Sequence, residues 1–261
     1  MNNIFYRSFG KGETVIILHG LFGCSDNWIS IAKKISKNYR VIIPDFRNHG
    51  ASSNLPSHTY NDLETDIINL ISDLNIQKTS VIGHSMGGKT TMGLLYKIPE
   101  IINKAIIIDI APKDYILNVN KLEENKHSIF LKECKKIDLG NKNTSELINT
   151  LKNLEEDDIQ LILKNIKRGK PNKWKLNIEV LEDYLSEILS NNLHLKDSSN
   201  KEVHFVKGEQ SNYIRDSDIN SIKKYFPNSS IHLIQRSGHR VHIDNPRTLL
   251  STINQILNPM N

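Results

Sequence analysis

Apolar residues along the chain gather into short blocks rich in β-branched side chains, each closed by turn residues. The blocks are Thr14–Leu18 (TVIIL), Arg40–Pro44 (RVIIP), Thr79–Ile82 (TSVI), Lys104–Ile110 (KAIIIDI), Glu202–Val206 (EVHFV) and Ser230–Ile234 (SIHLI). Runs that are apolar at nearly every position, instead of every second one, predict strands buried on both faces and therefore a parallel sheet covered by helices. Stretches with helical spacing lie between several of them: Asp26–Ser36, Tyr60–Leu74, Met86–Lys97, Asp218–Tyr225 and Pro246–Leu257. Strand alternating with helix predicts an α/β fold with a mostly parallel, doubly wound sheet.

The alternation stops between about Lys113 and Ser199. There the pattern predicts helix after helix, at Leu122–Lys136, Ser145–Leu154, Glu156–Lys167 and Ile178–Ser190, with no strong strand candidate. Such an insertion between two strands of a parallel sheet is expected to be a lid over the carboxyl edge, where open α/β sheets place their sites. The expected organisation is a core of residues 1–112 and 200–261 interrupted by a helical lid, 113–199.

Composition trims the field. The chain has 261 residues and a net charge of +5, from 34 Lys and Arg against 29 Asp and Glu. The excess is scattered in short pairs such as Lys33-Lys34 and Lys223-Lys224, so no basic stripe points to nucleic acid. Cys24 and Cys134 are far apart and suggest neither a disulfide framework nor a zinc site. No leader-like segment starts the chain and no apolar run approaches the ~20 residues of a membrane span. A soluble, cytoplasmic setting is the default expectation, and the oligomeric state is unreadable.

The segment Gly83-His84-Ser85-Met86-Gly87-Gly88-Lys89-Thr90 supports two chemistries. As G-x-S-x-G it is a nucleophile elbow, a tight strand-to-helix turn that lifts a serine oxygen above the sheet. As G-x-x-x-x-G-K-[ST], Gly83–Thr90, it matches the phosphate-cradling loop of nucleotide-binding P-loop proteins, and Ala105–Asp109 imitates a strand ending in a magnesium-handling Asp. On these residues alone the nucleotide reading ranks first. Four features reverse that order: His19-Gly20-Leu21-Phe22-Gly23 after the first block, a place for a second oxyanion donor; Gly238-His239-Arg240-Val241-His242 late in the chain; the turn Asp45–Ser52; and the architecture, with two strands before the elbow and a helical lid after the next strand. A catalytic histidine after the nucleophile and acid fits the order Ser…Asp…His.

Taken in order and spacing, HGLFG, DFRNHGASS, GHSMGGK, IDIAPKDY and GHRVH resemble the α/β-hydrolase superfamily, and within it the YbfF-type esterases. The resemblance runs over nearly the whole chain and is weakest in the lid. A lysine after GHSMGG is typical of that subgroup, which makes the P-loop match a coincidence.

Ser85 is the expected nucleophile and His239 the expected base, with the backbone amides of Met86 and Leu21 as oxyanion donors. The acid is open between Asp109 and the pair Asp216 and Asp218. The usual Gly-x-x-Asp position reads Gly208-Glu209-Gln210-Ser211, with serine where Asp would fall. Asp109 is favoured, because a carboxylate ending an Ile-rich strand is costly to bury without partners, and the resemblance also implicates it. Phe22 and Trp174 are candidate substrate contacts. His19 is expected to brace the oxyanion turn, Asp45 and Arg47 to stabilise a turn by local hydrogen bonds and an ion pair, and Lys89 to cap or pack a helix. No cofactor or metal is expected. A His239/His242 metal pair is possible from spacing, but no nearby carboxylate or cysteine completes a ligand set.

These features imply a serine hydrolase acting on carboxylic esters or acyl thioesters, the latter including acyl-CoA, through an acyl-enzyme. The competing readings are a P-loop-type nucleotide-binding protein and a catalytically silent hydrolase-fold binding protein. The expected partner is a small-molecule acyl ester or thioester.

Overall fold

A computed structural model of the chain describes residues 3–258 apart from 117–121, 123–124, 152–153, 155, 192, 194 and 196–197. Seven strands form one sheet. They are β1 (Tyr6–Phe9), β2 (Thr14–Leu18), β3 (Arg40–Pro44), β4 (Thr79–His84), β5 (Ile102–Ile108), β8 (Val203–Gly208) and β9 (Ser229–Ile234), in the spatial order β1-β3-β2-β4-β5-β8-β9. All neighbours pair in parallel except β1, which runs antiparallel along β3. β1 was not anticipated: YRSF alternates exposed and half-buried positions and carries no apolar run.

The pleat sorts the β-branched side chains into two layers. Val15, Ile17, Val41, Ile43, Ile106 and Ile108 pack with Trp28 and with α1 (Ile29–Ile35) and α11 (Pro246–Leu257). Ile16, Leu18, Ile42, Val81, Ala105 and Ile107 pack with α2 (Tyr60–Asp73) and α3 (Met86–Lys97). Both faces are therefore buried, which is why the strands read as continuous apolar runs. The helix α2 starts where Thr59 accepts from the amide of Asp62 while Asp62 accepts from that of Thr59, a reciprocal cap that satisfies two otherwise unpaired donors.

Between β5 and β8 lie α4 (Lys126–Lys136), α5 (Thr144–Leu151), α6 (Glu156–Lys164), α7 (Ile178–Asp183) and α8 (Leu185–Leu189). The insertion is not all helix. Two short strands, β6 (Ile166–Lys167) and β7 (Lys173–Trp174), pair antiparallel where the predicted Glu156–Lys167 helix was to end. Two residues per strand are too few for an alternation to register in sequence. Residues 123–124 of the predicted Leu122–Lys136 helix and 152–153 of the predicted Ser145–Leu154 helix lie outside the described residues. The remaining helices are α9 (Ile219–Tyr225) and α10 (Val241–Asp244). Among the described residues no helix is long and apolar enough to cross a membrane.

Candidate active site

The carboxyl ends of β2, β4, β5, β8 and β9 converge. Between β4 and α3 the chain reverses in a single residue, Ser85, at φ 53° and ψ −117°. A non-glycine residue there carries strain on the order of 1–3 kcal/mol, held only where the surroundings over-determine it. They do so here. A Cβ on Gly83 would come 2.2 Å from the Gly87 carbonyl oxygen and 2.3 Å from Thr91 Oγ1, and one on Gly87 would come 2.4 Å from the Leu18 carbonyl oxygen. Both glycines are required because β4, the turn and α3 press against the end of β2. The Ser85 amide donates to the Ile108 carbonyl (3.0 Å), which ties the turn to β5.

His239 Nε2 lies 3.1 Å from Ser85 Oγ, and its Nδ1 lies 2.8 Å from Asp109 Oδ2. Asp109 follows β5 directly, is fully buried, and also adopts a positive φ of 51°. Its Oδ1 accepts from the Gly208 amide at 3.1 Å, and its Oδ2 accepts from Ser211 Oγ as well as from His239. Burial pushes this carboxyl up to about 6, while the Ser211 and Gly208 donors pull the other way. Burial, with Lys126 and Arg240 nearby, holds His239 below its ordinary value. The Tyr213 ring stacks on His239, with ring centres 3.6 Å apart and planes 14° from parallel. His84 Nε2 donates to the His239 carbonyl at 2.9 Å. A hydroxyl bonded to an imidazole whose other nitrogen is bonded to a buried carboxylate is the arrangement that activates a serine for nucleophilic attack.

The alternative acids stand elsewhere. Asp216 is almost fully exposed beside Lys207, and Asp218 pairs with Lys113 at 2.5 Å and accepts from the Arg215 amide at 2.7 Å.

After β2 the chain turns through Gly20, Leu21 and Phe22. A Cβ on Gly20 would meet His84 Nδ1 at 2.8 Å and Ser85 Cβ at 3.2 Å, so this turn lies against the serine. Three buried imidazoles brace it. His19 Nδ1 donates to the Gly20 carbonyl, and its Nε2 accepts from the Phe46 amide. His49 Nε2 accepts from the Phe22 amide, and His58 lies behind it with ring centres 5.2 Å apart. Burial holds all three below the usual histidine value, with His58 pushed down to about 3. They therefore stay neutral, which is the form able to accept from a backbone amide. The amide of Met86, first residue of α3, has no intrahelical acceptor, as for any helix start.

The turn Asp45–Ser52 differs in part from its expected wiring. Asp45 accepts from the Ser25 and Ala51 amides, at 2.6 and 2.8 Å. Arg47 pairs not with Asp45 but with Asp66 and Asp62 on α2, at 2.6 and 3.0 Å, nearly buried. Sequence distance hid that partner.

A cavity of about 520 Å³ is lined by Ser85, His239, Leu21, Phe22, Trp28 and His242 from the sheet side. From the insertion come Lys126, His127, Phe130, Asp158, Gln160 and Lys164. Phe22 stacks on Phe130, ring centres 4.5 Å apart. Trp174 is not among the lining residues: it pairs with Ile166 in the short hairpin and packs against the core. His242 stacks on Trp28, and among the described residues no three His, Cys, Asp or Glu side chains are grouped as metal ligands. The P-loop geometry is absent as well. Lys89 is buried and donates to the Ser190 carbonyl, and the Thr90 hydroxyl donates to Met86, so the pair leaves no open cradle for a phosphate.

Ser211, Tyr213, His49 and His84 were not assigned these contacts from sequence. Only Ser211 left a signal, as a polar residue standing where the family's pattern has Asp.

Comparison with known proteins agrees with this fold. A family model for the alpha/beta hydrolase fold matches residues 13–246. A putative esterase/lipase of Haemophilus influenzae is 32% identical over 248 residues, covering 94% of this chain and 83% of that protein. The esterase YbfF of Escherichia coli is 30% identical over 248 residues, covering 95% and 94%. The structure of a marine microorganism esterase, 33% identical, superposes with a TM-score of 0.93 over 98% of this chain and 100% of that one.

Proposed function

The chain belongs to the α/β-hydrolase family, and from that premise we propose that it is a carboxylic ester hydrolase working through Ser85, His239 and Asp109. The observation that carries this is the unbroken line of hydrogen bonds from Asp109 through His239 to Ser85, at 2.8 and 3.1 Å, at the wall of the large cavity.

In the first half-reaction His239 Nε2 takes the Ser85 proton as Oγ attacks the ester carbonyl carbon. The amides of Leu21 and Met86 stabilise the oxyanion. Collapse expels the alcohol, protonated by His239, and leaves Ser85 acylated. Water, deprotonated by the same imidazole, then releases the acid. Asp109 keeps the His239 Nδ1–H aimed away from Ser85 and stabilises the imidazolium. No cofactor takes part in these steps.

Thioesters, acyl-CoA among them, fit the same chemistry. Lys126 and Lys164 of the insertion line the cavity together with Arg240 and would attract an anionic leaving group, although Asp158 and Asp244 line it too. Residues 113–199 act in this reading as the lid that shapes the substrate space. A fluorophosphonate probe should label the protein at Ser85, and Ser85→Ala should abolish both labelling and hydrolysis of 4-nitrophenyl butyrate. Undiminished labelling of Ser85→Ala would overturn the assignment, and a failure of the wild type to label would overturn the serine mechanism.

A further inference from the structure

The two hydrogen bonds of His239 fix the line along which its imidazole lies but leave the ring free to tilt about that line. Nδ1 meets Asp109 Oδ2 at 2.8 Å, and Nε2 meets Ser85 Oγ at 3.1 Å. The residue also lines the cavity of about 520 Å³, so packing does not enclose it on that side. A working base has to hold its geometry to within about 0.5 Å and 10–20°. Some neighbour has to set the tilt, and none of the groups used in the steps above does so.

Tyr213 lies flat on this imidazole, with ring centres 3.6 Å apart and planes 14° from parallel. The His84 ring, by contrast, is 4.9 Å away and inclined by 40°. Tyr213 is itself anchored through its amide, its carbonyl and its ring. The amide donates to Ser211 Oγ at 3.2 Å, and that hydroxyl in turn donates to Asp109. The carbonyl accepts from the Tyr115 hydroxyl at 2.7 Å, which itself accepts from the amide of Ala111, two residues beyond Asp109. The Tyr115 ring stacks on the Tyr213 ring, centres 5.1 Å apart and planes 28° from parallel. Lys126 Nζ on α4 stands 5.1 Å from the Tyr213 ring centre, a cation–π distance. Tyr213 and the acid therefore share one frame: Asp109 holds the imidazole by its edge, and Tyr213 holds it by its face. Tyr213 lines a small cavity of about 20 Å³ beside Ser85, room for roughly one water-sized group, and is not among the residues lining the large one.

We propose that Tyr213 is a positioning residue for the base: its ring sets the tilt of the His239 imidazole, so that Nε2 stays on Ser85 Oγ as the proton is taken. This rests on the serine hydrolase reading and adds to it a residue that handles no proton itself. The ring face supplies the effect and the hydroxyl does not, which separates this role from hydrogen bonding or proton transfer by Tyr213.

The test compares Tyr213→Phe, which keeps the ring, with Tyr213→Leu and Tyr213→Met, which remove it, on 4-nitrophenyl butyrate. Tyr213→Phe should keep kcat within about twofold. The folded variants without the ring should lose kcat about 10- to 100-fold, with KM within about threefold. Their rate of fluorophosphonate labelling should fall in step, because labelling uses the same base and needs no deacylation. By proton NMR of the wild type, with His239 assigned by its loss in His239→Asn, the imidazole C–H resonances should lie upfield of their unfolded positions through the Tyr213 ring current. Tyr213→Phe should keep that shift. A collapse of kcat in Tyr213→Phe, a folded Leu or Met variant with unchanged kcat, or a loss that falls on KM alone overturns the proposal. So does a wild type without the upfield shift, which decides the matter even where neither Leu nor Met variant folds. All of these outcomes leave the serine reading standing. A wild type that neither labels nor hydrolyses the ester defeats both.

Discussion

The sheet's carboxyl edge and the inserted segment between β5 and β8 meet at one cavity but are built differently. Ser85 and Asp109 each stand on the residue next to a strand end, at positive φ, with their backbone pinned by neighbouring strands. The insertion's contributions stand on α4 and α6, helices of 11 and 9 residues. These pack on apolar residues of the insertion, among them Leu131, Cys134, Leu147 and Ile162. A small set of polar ties joins the insertion to the sheet side. Asn165 Nδ2 donates to the Phe22 carbonyl at 2.8 Å, Asn177 bonds Asn48, and Tyr60 donates to the Ile188 carbonyl. The proposed catalytic residues sit where neighbouring strands pin the backbone, and the insertion's cavity-lining residues sit on helices joined to the sheet side through one continuous apolar cluster. Rate should therefore be lost at the edge, and selectivity at the insertion.

The sharpest break would be at Ser85. Ser85→Ala should lower kcat by at least about 10⁴-fold. Ser85→Gly should do the same and raise the melting temperature, because glycine relieves a strained φ. An unchanged melting temperature would mean that the turn stores no strain. Next, Asp109→Asn should cost about 10³–10⁴ in kcat, while Asp216→Asn leaves it within about twofold. The reverse outcome in steady-state kinetics would move the acid off the β5 edge.

Stability follows the same division. Asp66→Asn leaves Arg47 nearly buried with a single remaining carboxylate, and should cost about 3 kcal/mol, roughly 10 °C in a thermal melt. In the insertion, Asn165→Ala removes one tie to the Gly20–Phe22 turn and should cost only about 1 kcal/mol. Its effect should be mainly on KM. A kcat loss as deep as that of Asp109→Asn would erase the distinction between the two regions.

The smallest effect concerns pH. His239 is held below its ordinary value by burial, Lys126 and Arg240. The neutral imidazole is the base of the proposed mechanism and its partner Asp109 is raised to about 6 by burial, so kcat/KM should decline on the acid side as the His239–Asp109 pair takes up a proton. Lys126→Met removes a neighbouring positive charge, which makes that proton easier to bind. The acid limb of the kcat/KM profile should then move toward higher pH; a limb that stays in place would show that α4 does not influence the base.

The same division governs what could be read from the amino acids. Sheet strands buried on both faces announce themselves as unbroken β-branched runs, and α3 was bounded correctly at both ends, because the glycine-rich turn and the apolar spacing agree. β1 escaped because an edge strand has no need of an apolar run. The β6–β7 hairpin escaped because two-residue strands carry no period. At the site, Ser85, His239 and Asp109 could be singled out by motif or by the oddity of a charge ending an Ile-rich strand. Ser211 left only the trace of a polar residue where the family's pattern has Asp, and Tyr213 left none, since their roles are contacts made across 102 residues to Asp109 and 26 to His239. Trp174 misled for the converse reason: a large aromatic in a turn is equally suited to a ligand or to a hairpin, and here the hairpin has it.

Ser85 and Asp109 sit on paired strands, β4 and β5, and the backbone bond between Ser85 and Ile108 forms within 23 residues of chain, but His239 arrives 154 residues after the serine. A ribosome therefore finishes Ser85 and Asp109 long before it supplies His239. Chains halted ahead of residue 239 contain all seven sheet strands but lack this histidine, so on the proposed mechanism the onset of turnover during synthesis would report the docking of the segment after β9, whose Asn258 meets Tyr39 across 219 residues.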